Sequence, residues 1–227
     1  MILLTFAALA VLVLYLRQWL IPQPDHLPIH RRFPKLEVGV CLLVAGLSYL
    51  PSWQADRAAD RAGKAASKVV GEKVEFVCGS QLNTFFDRGT DMAWGYVKWT
   101  EEGPAKSSKL RHETCKGLRE FFDDPTQWRS ISNDRLFAVH IITHETMHMA
   151  GEMNEAVTEC QAVQRDALMA QALGASAVQA RDMALAYYIE IYPNLRQDYY
   201  SDECKQGGKL DENLPTSPWN LRRLRPA

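Results

Sequence analysis

THETMHMAGEMNEAVTEC, residues Thr143 to Cys160, places His144 and His148 four positions apart with Glu145 between them, and Glu155 and Glu159 four positions apart just beyond. Positions i and i+4 lie one above the other on a helix face. Both imidazoles can therefore converge on one ion while Glu145 stands beside it. The chain carries its own control. RHETCK repeats the His-Glu-Thr tripeptide at His112, but four positions on stands Lys116, and one ligand with a cation makes no site.

The surrounding pattern is helical. RLFAVHIITHETMHMA puts Phe137, Ile141, His144 and His148 on one stripe, and Ser132, Asn133 or Asp134 can cap its start. His140, one turn before His144, reads as a packed core histidine. A straight helix continuing to Glu159 would leave Glu155 about 16 Å along the axis from His144, out of reach of a shared ion. The chain therefore has to turn. Gly151 suits a helix C-terminus, and Asn154 suits the N-cap of a second helix, EAVTECQAVQRDALMAQAL. Such a corner returns Glu155 and Glu159 to the histidines. Taken singly, Glu155 also suits a helix start for its dipole alone, and Glu159 a solvated face.

Neutral imidazoles leave most of the charge of a zinc ion to act on a water molecule, and a neighbouring carboxylate can take that water's proton. H-E-x-x-H followed on a second helix by N-E-x-x-x-E resembles the gluzincin group of zinc metallopeptidases. The resemblance covers this stretch, with only a loose likeness in the strands before it. It implies one zinc ion per chain held by His144, His148 and Glu155, with Glu145 as general base and Glu159 as the outer partner of a zinc-binding histidine. The gap between His148 and Glu155 is far shorter than is usual in that group, so Glu159 stands as the alternative third ligand. H-E-x-x-H-x-x-G also looks like the start of a metzincin motif, but the third ligand would then fall on Asn154, a poor zinc donor.

The rest of the chain supplies the setting. With 227 residues, 47% of them hydrophobic, it can bury a full core, and a net charge of -1 gives no basic field for nucleic acid. Residues 1–22 read as a transmembrane helix and residues 23–36 as a basic cytoplasmic loop with Arg31, Arg32 and Lys35. Residues 37–53 read as a second transmembrane helix or a lone signal-anchor, residues 54–72 as an alanine-rich helical stalk, and residues 73–227 as the metallopeptidase domain. That topology makes the protein integral to the cell membrane with its C-terminal domain on the extracytoplasmic side.

Cys41 falls within the second apolar run and leaves Cys78, Cys115, Cys160 and Cys204 outside it. Four cysteines in an exported domain allow three pairings. Cys78 with Cys115 and Cys160 with Cys204 is the preferred one, against the alternative of four unrelated buried thiols. KVEFVC and MAWGYVKW read as strands, Gly103-Pro104 as a turn, and KSSKLRHETCKGLREFF as the first domain helix. A capping box at Ser176 and Gln179 opens a further helix that Pro193 ends. If Cys204 pairs with Cys160, the tail lies beside Glu159, where Tyr199 or Tyr200 can donate to a developing oxyanion.

The fold class expected is α+β: N-terminal transmembrane helices, then a zincin-like domain in which a small, mostly antiparallel sheet and the HExxH helix pack on the helices that follow. The function expected is a membrane-anchored zinc metallopeptidase acting on peptide or protein substrates. The alternative is a catalytically inactive, zinc-stabilised extracytoplasmic binding domain. An intramembrane protease is disfavoured, because Leu136 to Ala150 is too short and too polar to span a bilayer. Nothing in the sequence indicates an oligomeric state.

Overall fold

Length limits what the amino-terminal segments can do. The computed structural model describes residues 2–20, 35–79, 94–129 and 133–221, and the chain divides into two units, Met1–Gln54 and Ala55–Ala227. In the first, helix α1 (Ile2–Leu20) rises about 28 Å, short of the ~30 Å hydrocarbon core of a bilayer, and carries Arg17 in its last turn. The second apolar run opens helix α2 (Lys35–Val70), which passes into the charged sequence ADRAADRAGK within the same helix. No helix among the described residues is long and apolar enough to cross a membrane. This corrects the expectation of transmembrane helices over 1–22 and 37–53: the first apolar run is cut by Arg17, and the second reaches only Leu50 before Pro51 and the polar residues Ser52 and Gln54 dilute it. The basic loop expected over 23–36 lies largely outside the described residues.

In the second unit the alanines of the expected stalk do core work. Ala58, Ala59, Ala62, Ala65 and Ala66, spaced three and four apart on α2, are buried and belong to the same apolar cluster as Val74, Leu118 and Phe121. Small side chains on one helix face let neighbouring elements approach closely.

Strands β1 (Glu75–Cys78), β2 (Gly95–Thr100) and β3 (Gly103–Leu110) form a sheet in the order β1-β3-β2. The sheet is mixed rather than mostly antiparallel, since β3 runs parallel to β1 and antiparallel to β2. Ser108 of the central strand lies opposite both Phe76 and Val97. Lys106 to Leu110, expected as the start of a helix, therefore forms the middle of the sheet, and helix α3 (His112–Asp123) begins just beyond it.

Helix α4 (Asp134–Ala150) is the hub. Every residue from Ala138 to Met149 is buried, because β2, β3, α3 and α5 (Glu155–Leu173) all pack against it. Asn133 precedes it in the left-handed region with no side-chain cap bond. Gly151 closes it at φ 117°, its N–H returning to the carbonyls of His148 and Met147, a conformation that favours glycine. The expected corner follows: Asn154 caps α5 by accepting from the Val157 amide at 3.0 Å. Helix α6 (Ala177–Ala186) opens with the capping box of Ser176 and Gln179 and runs into a π-helical turn, Tyr187–Ile191. A short helix, α7 (Pro218–Leu221), lies in the tail.

Disulfides join Cys78 to Cys115 and Cys160 to Cys204. The first ties β1 to α3, and the second ties α5 to the tail. Peptide mapping of the non-reduced protein is expected to recover these two cross-linked pairs. Replacing Cys160 and Cys204 together by alanine, which opens a link spanning 44 residues, is expected to lower unfolding free energy by about 2–4 kcal/mol in a denaturant titration.

Candidate metal centre

Two ladders face each other across the α4–α5 corner. His140, His144 and His148 climb α4 at intervals of one turn, and Glu155, Glu159 and Asp166 line the facing side of α5. Histidine Nε2 of residue 144 lies 3.0 Å from Nε2 of His148, and Oε2 of Glu155 lies 3.1 Å and 3.2 Å from these two atoms. The three donor atoms thus form a nearly equilateral triangle. Ligands about 2.0–2.1 Å from a tetrahedral zinc ion stand about 3.3 Å apart, so the triangle is close to one face of such a site.

A second set of contacts lies behind the first. Oε2 of Glu159 faces Nδ1 of His144 at 2.9 Å and Nε2 of His140 at 3.0 Å. The hydroxyl of Tyr187 donates to Glu159 Oε1 at 2.8 Å, and Oδ2 of Asp166 faces Nδ1 of His140 at 2.8 Å. The other ring nitrogen of His148 is occupied by the Glu152 carbonyl at 2.7 Å. Among the described residues two groups can therefore hold a metal ion: His140, His144 and Glu159, all buried, and His144, His148 and Glu155 at the half-buried end.

The charges follow from these contacts. Burial alone would lower His140, but the carboxylates of Asp166 and Glu159 outweigh it and raise its pKa to about 10. Burial likewise opposes protonation of His144, yet the hydrogen bonds it donates to Glu155 and Glu159 raise it to about 9. Glu155 is pushed up by burial and drawn down further by His144 and His148, to about 2. Glu159 is held well below the usual carboxylate range despite burial, chiefly by His140. Glu145, 4% exposed, moves the other way: burial raises its pKa against the pull of His144.

Glu145 projects toward the sheet. The Ser108 hydroxyl lies 2.9 Å from its Oε2 and 3.0 Å from the Tyr96 carbonyl. With one proton to give, Ser108 serves the carboxylate when Glu145 is ionised, and the carbonyl when Glu145 itself carries a proton and donates. Gly95 makes this approach possible, since a Cβ there would stand 2.9 Å from Cγ, Cδ and Oε1 of Glu145.

The structure brings Glu145, His144, His148, Glu155 and Glu159 together. It separates the two tyrosines of the tail. The Tyr199 ring lies 5.9 Å from that of His144, whereas the Tyr200 hydroxyl turns away to Asp202 at 2.9 Å, so Tyr200 is withdrawn as an oxyanion donor. Trp99 stands edge-on to His148, with 6.5 Å between ring centroids. His140 is more than a packed core residue, and Asp166, Tyr187 and Ser108 join the site without notice from the motif. The signal for His140 and Asp166 was present as spacing, one turn before His144 and two turns after Glu159.

No protein-family model, curated protein or solved structure matches this chain. What the site can do is read from its own geometry.

The His140 contribution to stability has a defined pH window. Its folded pKa, about 10, exceeds the unfolded value near 6.5, so its contribution is full below 6.5, declines above it and is gone beyond about 10. In the presence of a chelator, the denaturant midpoint of the wild type relative to His140→Gln is expected to narrow steadily from pH 7 to pH 10.5.

Proposed function

We propose that the chain is a zinc-dependent peptidase in which His144, His148 and Glu155 hold one ion, Glu145 is the general base and Glu159 orients His144. The observation that carries the reading is the triangle of donor atoms with edges of 3.0–3.2 Å, supported by the choice of donors, two imidazoles and one carboxylate, which suits zinc. Charge supports it as well: Glu155, Glu159 and Asp166 meet the three histidines at 2.8–3.2 Å, Glu145 adds a fourth carboxyl whose charge acts on His144, and a divalent cation placed among them offsets that acidity.

A bound zinc ion supplies Lewis acidity, polarising a water molecule and the carbonyl of a peptide bond. The residues of the chain do the rest. Glu145, whose affinity for a proton is raised by burial, takes the proton of the attacking water on a carboxylate oxygen. It returns that proton to the nitrogen of the departing amine, while the second proton of the water leaves with the new carboxylic acid. Ser108 steadies the Glu145 carboxylate through the exchange by turning its hydroxyl between the carboxylate and the Tyr96 carbonyl. Tyr199, half-buried and raised to about 12 by burial and by Glu155, stays protonated at neutral pH and can donate to the carbonyl oxygen as it gains charge. Among the described residues β2 has a partner on one side only, so its backbone, beside Glu145, can pair with an extended peptide.

The two disulfides fit an oxidising compartment, and we place the Ala55–Ala227 unit on the extracytoplasmic side on that ground.

Elemental analysis of the purified 227-residue chain is expected to give about one zinc per chain, lost in His148→Ala and Glu155→Ala. Glu145→Gln is expected to keep the ion and lose about 10²- to 10⁴-fold in turnover of a fluorogenic peptide mixture. Gly95→Ala is expected to keep the ion and lose turnover too, because the new methyl displaces Glu145. An ion that stays bound while neither variant changes any peptide turnover would mark a domain whose metal only pins α4 to α5. A folded chain without metal would overturn the reading altogether.

A further inference from the structure

The second layer of contacts is more elaborate than helix packing requires. A buried histidine–carboxylate pair seldom stabilises a protein more than apolar residues of the same volume, yet α4 and α5 spend two successive turns on one. The contacts form a line that crosses between the helices at every step: Asp166 to His140 at 2.8 Å, His140 to Glu159 at 3.0 Å, Glu159 to His144 at 2.9 Å. Each member is fixed from more than one direction. Three donors surround the Glu159 carboxylate, two imidazoles on Oε2 and the Tyr187 hydroxyl on Oε1, so it cannot rotate without breaking a buried bond. The His140 ring is held by Asp166 and by the Tyr187 ring, stacked at 3.6 Å between centroids and 14° between planes.

Tyr187 opens the π-helical turn that follows α6. Such turns are uncommon and recur at functional sites, where they re-aim side chains within a helix. Here one side chain both stacks on His140 and donates to Glu159. Asp166 shows the same bias: its Oδ2 engages His140, while its Oδ1 is buried with no hydrogen-bond partner among the described residues.

We propose that His140 and Asp166, with Tyr187, are positioning residues for the metal centre: they lock Glu159 in the orientation that engages Nδ1 of His144 and thereby aim Nε2 of His144 at the ion. The inference rests on His144 being a ligand. It extends the support of that ligand through three more residues, and none of the three touches substrate or ion.

Cobalt(II) is the probe. The whole 227-residue chain, stripped with a chelator, is titrated with cobalt in competition with a chelating indicator, and binding is followed by the visible absorption of the ion. Asp166→Asn and His140→Gln are expected to bind cobalt about 10- to 100-fold more weakly than the wild type, still at one ion per chain. Tyr187→Phe, which keeps the ring stack, is expected to show a smaller loss. The double variant His140→Gln/Glu159→Gln is expected to bind no more weakly than Glu159→Gln alone, because the influence of His140 passes through Glu159. A residue that only supports the fold would give losses that add. Additive losses, or single variants with wild-type affinity, overturn the proposal while leaving the metal site standing. A wild type that takes up no cobalt overturns the metal reading and this inference with it. Should His140→Gln fail to fold, Asp166→Asn and Tyr187→Phe decide the matter by the same titration.

Discussion

Three imidazoles on a helix buried on every side have to find their hydrogen bonds inside the protein, and this requirement organises the Ala55–Ala227 unit. Desolvation alone would make His140 and His144 neutral and poorly satisfied. The carboxylates that meet them come from one neighbour, α5, and meet them only because the chain reverses between Gly151 and Asn154. The corner, the caps at its two ends and the burial of α4 are thus parts of one solution. Removing a single carboxylate leaves a buried ring without its partner, which costs more than the bond alone.

The remaining elements bring chemistry to the open end of that ladder. The sheet approaches α4 through Gly95 and Ser108 and holds Glu145 out of water. The tail is tied to α5 by Cys160–Cys204, directly after Glu159, and Gln164 reinforces the tie through the Leu210 carbonyl at 2.8 Å and the Glu212 amide at 2.9 Å. A segment with little regular structure is thereby fixed firmly enough to carry Tyr199 over the His144 ring. Glu155, 41% exposed at its side chain, marks the side from which solvent reaches the histidines, in contrast to Glu159 at 3%.

The local parts of this arrangement were legible in the sequence. Asn154, Gly151, Ser176 and Gln179 announced caps through their own backbone and side-chain chemistry, and a spacing too long for a straight helix demanded the turn. Long-range parts were harder to read. Lys106 to Leu110 carries polar residues that suit a helix start, and becomes a central strand only because β1 and β2 lie on either side to pair with it. His140 looked like packing because its partner, Asp166, lies on another helix 26 residues away. The apolar run at the amino terminus showed hydrophobicity without the length that a membrane demands. Alanines in a charged segment suggested a solvated stalk, although small residues at helical spacing equally suit close packing, as Ala62 and Ala66 do.

The shortness of the corner has a kinetic side. His144, His148 and Glu155 fall within a dozen consecutive residues, and the loop that must close to bring the glutamate to the histidines is only six residues long. Closing so short a segment forfeits little chain entropy and takes place on about the 10–100 ns scale of small loops. The three donors can therefore meet before the sheet has paired, before the tail has docked and before either disulfide has formed. Contacts this local cost less chain entropy to form than the sequence-distant contacts of β1 and the tail, which close much longer loops.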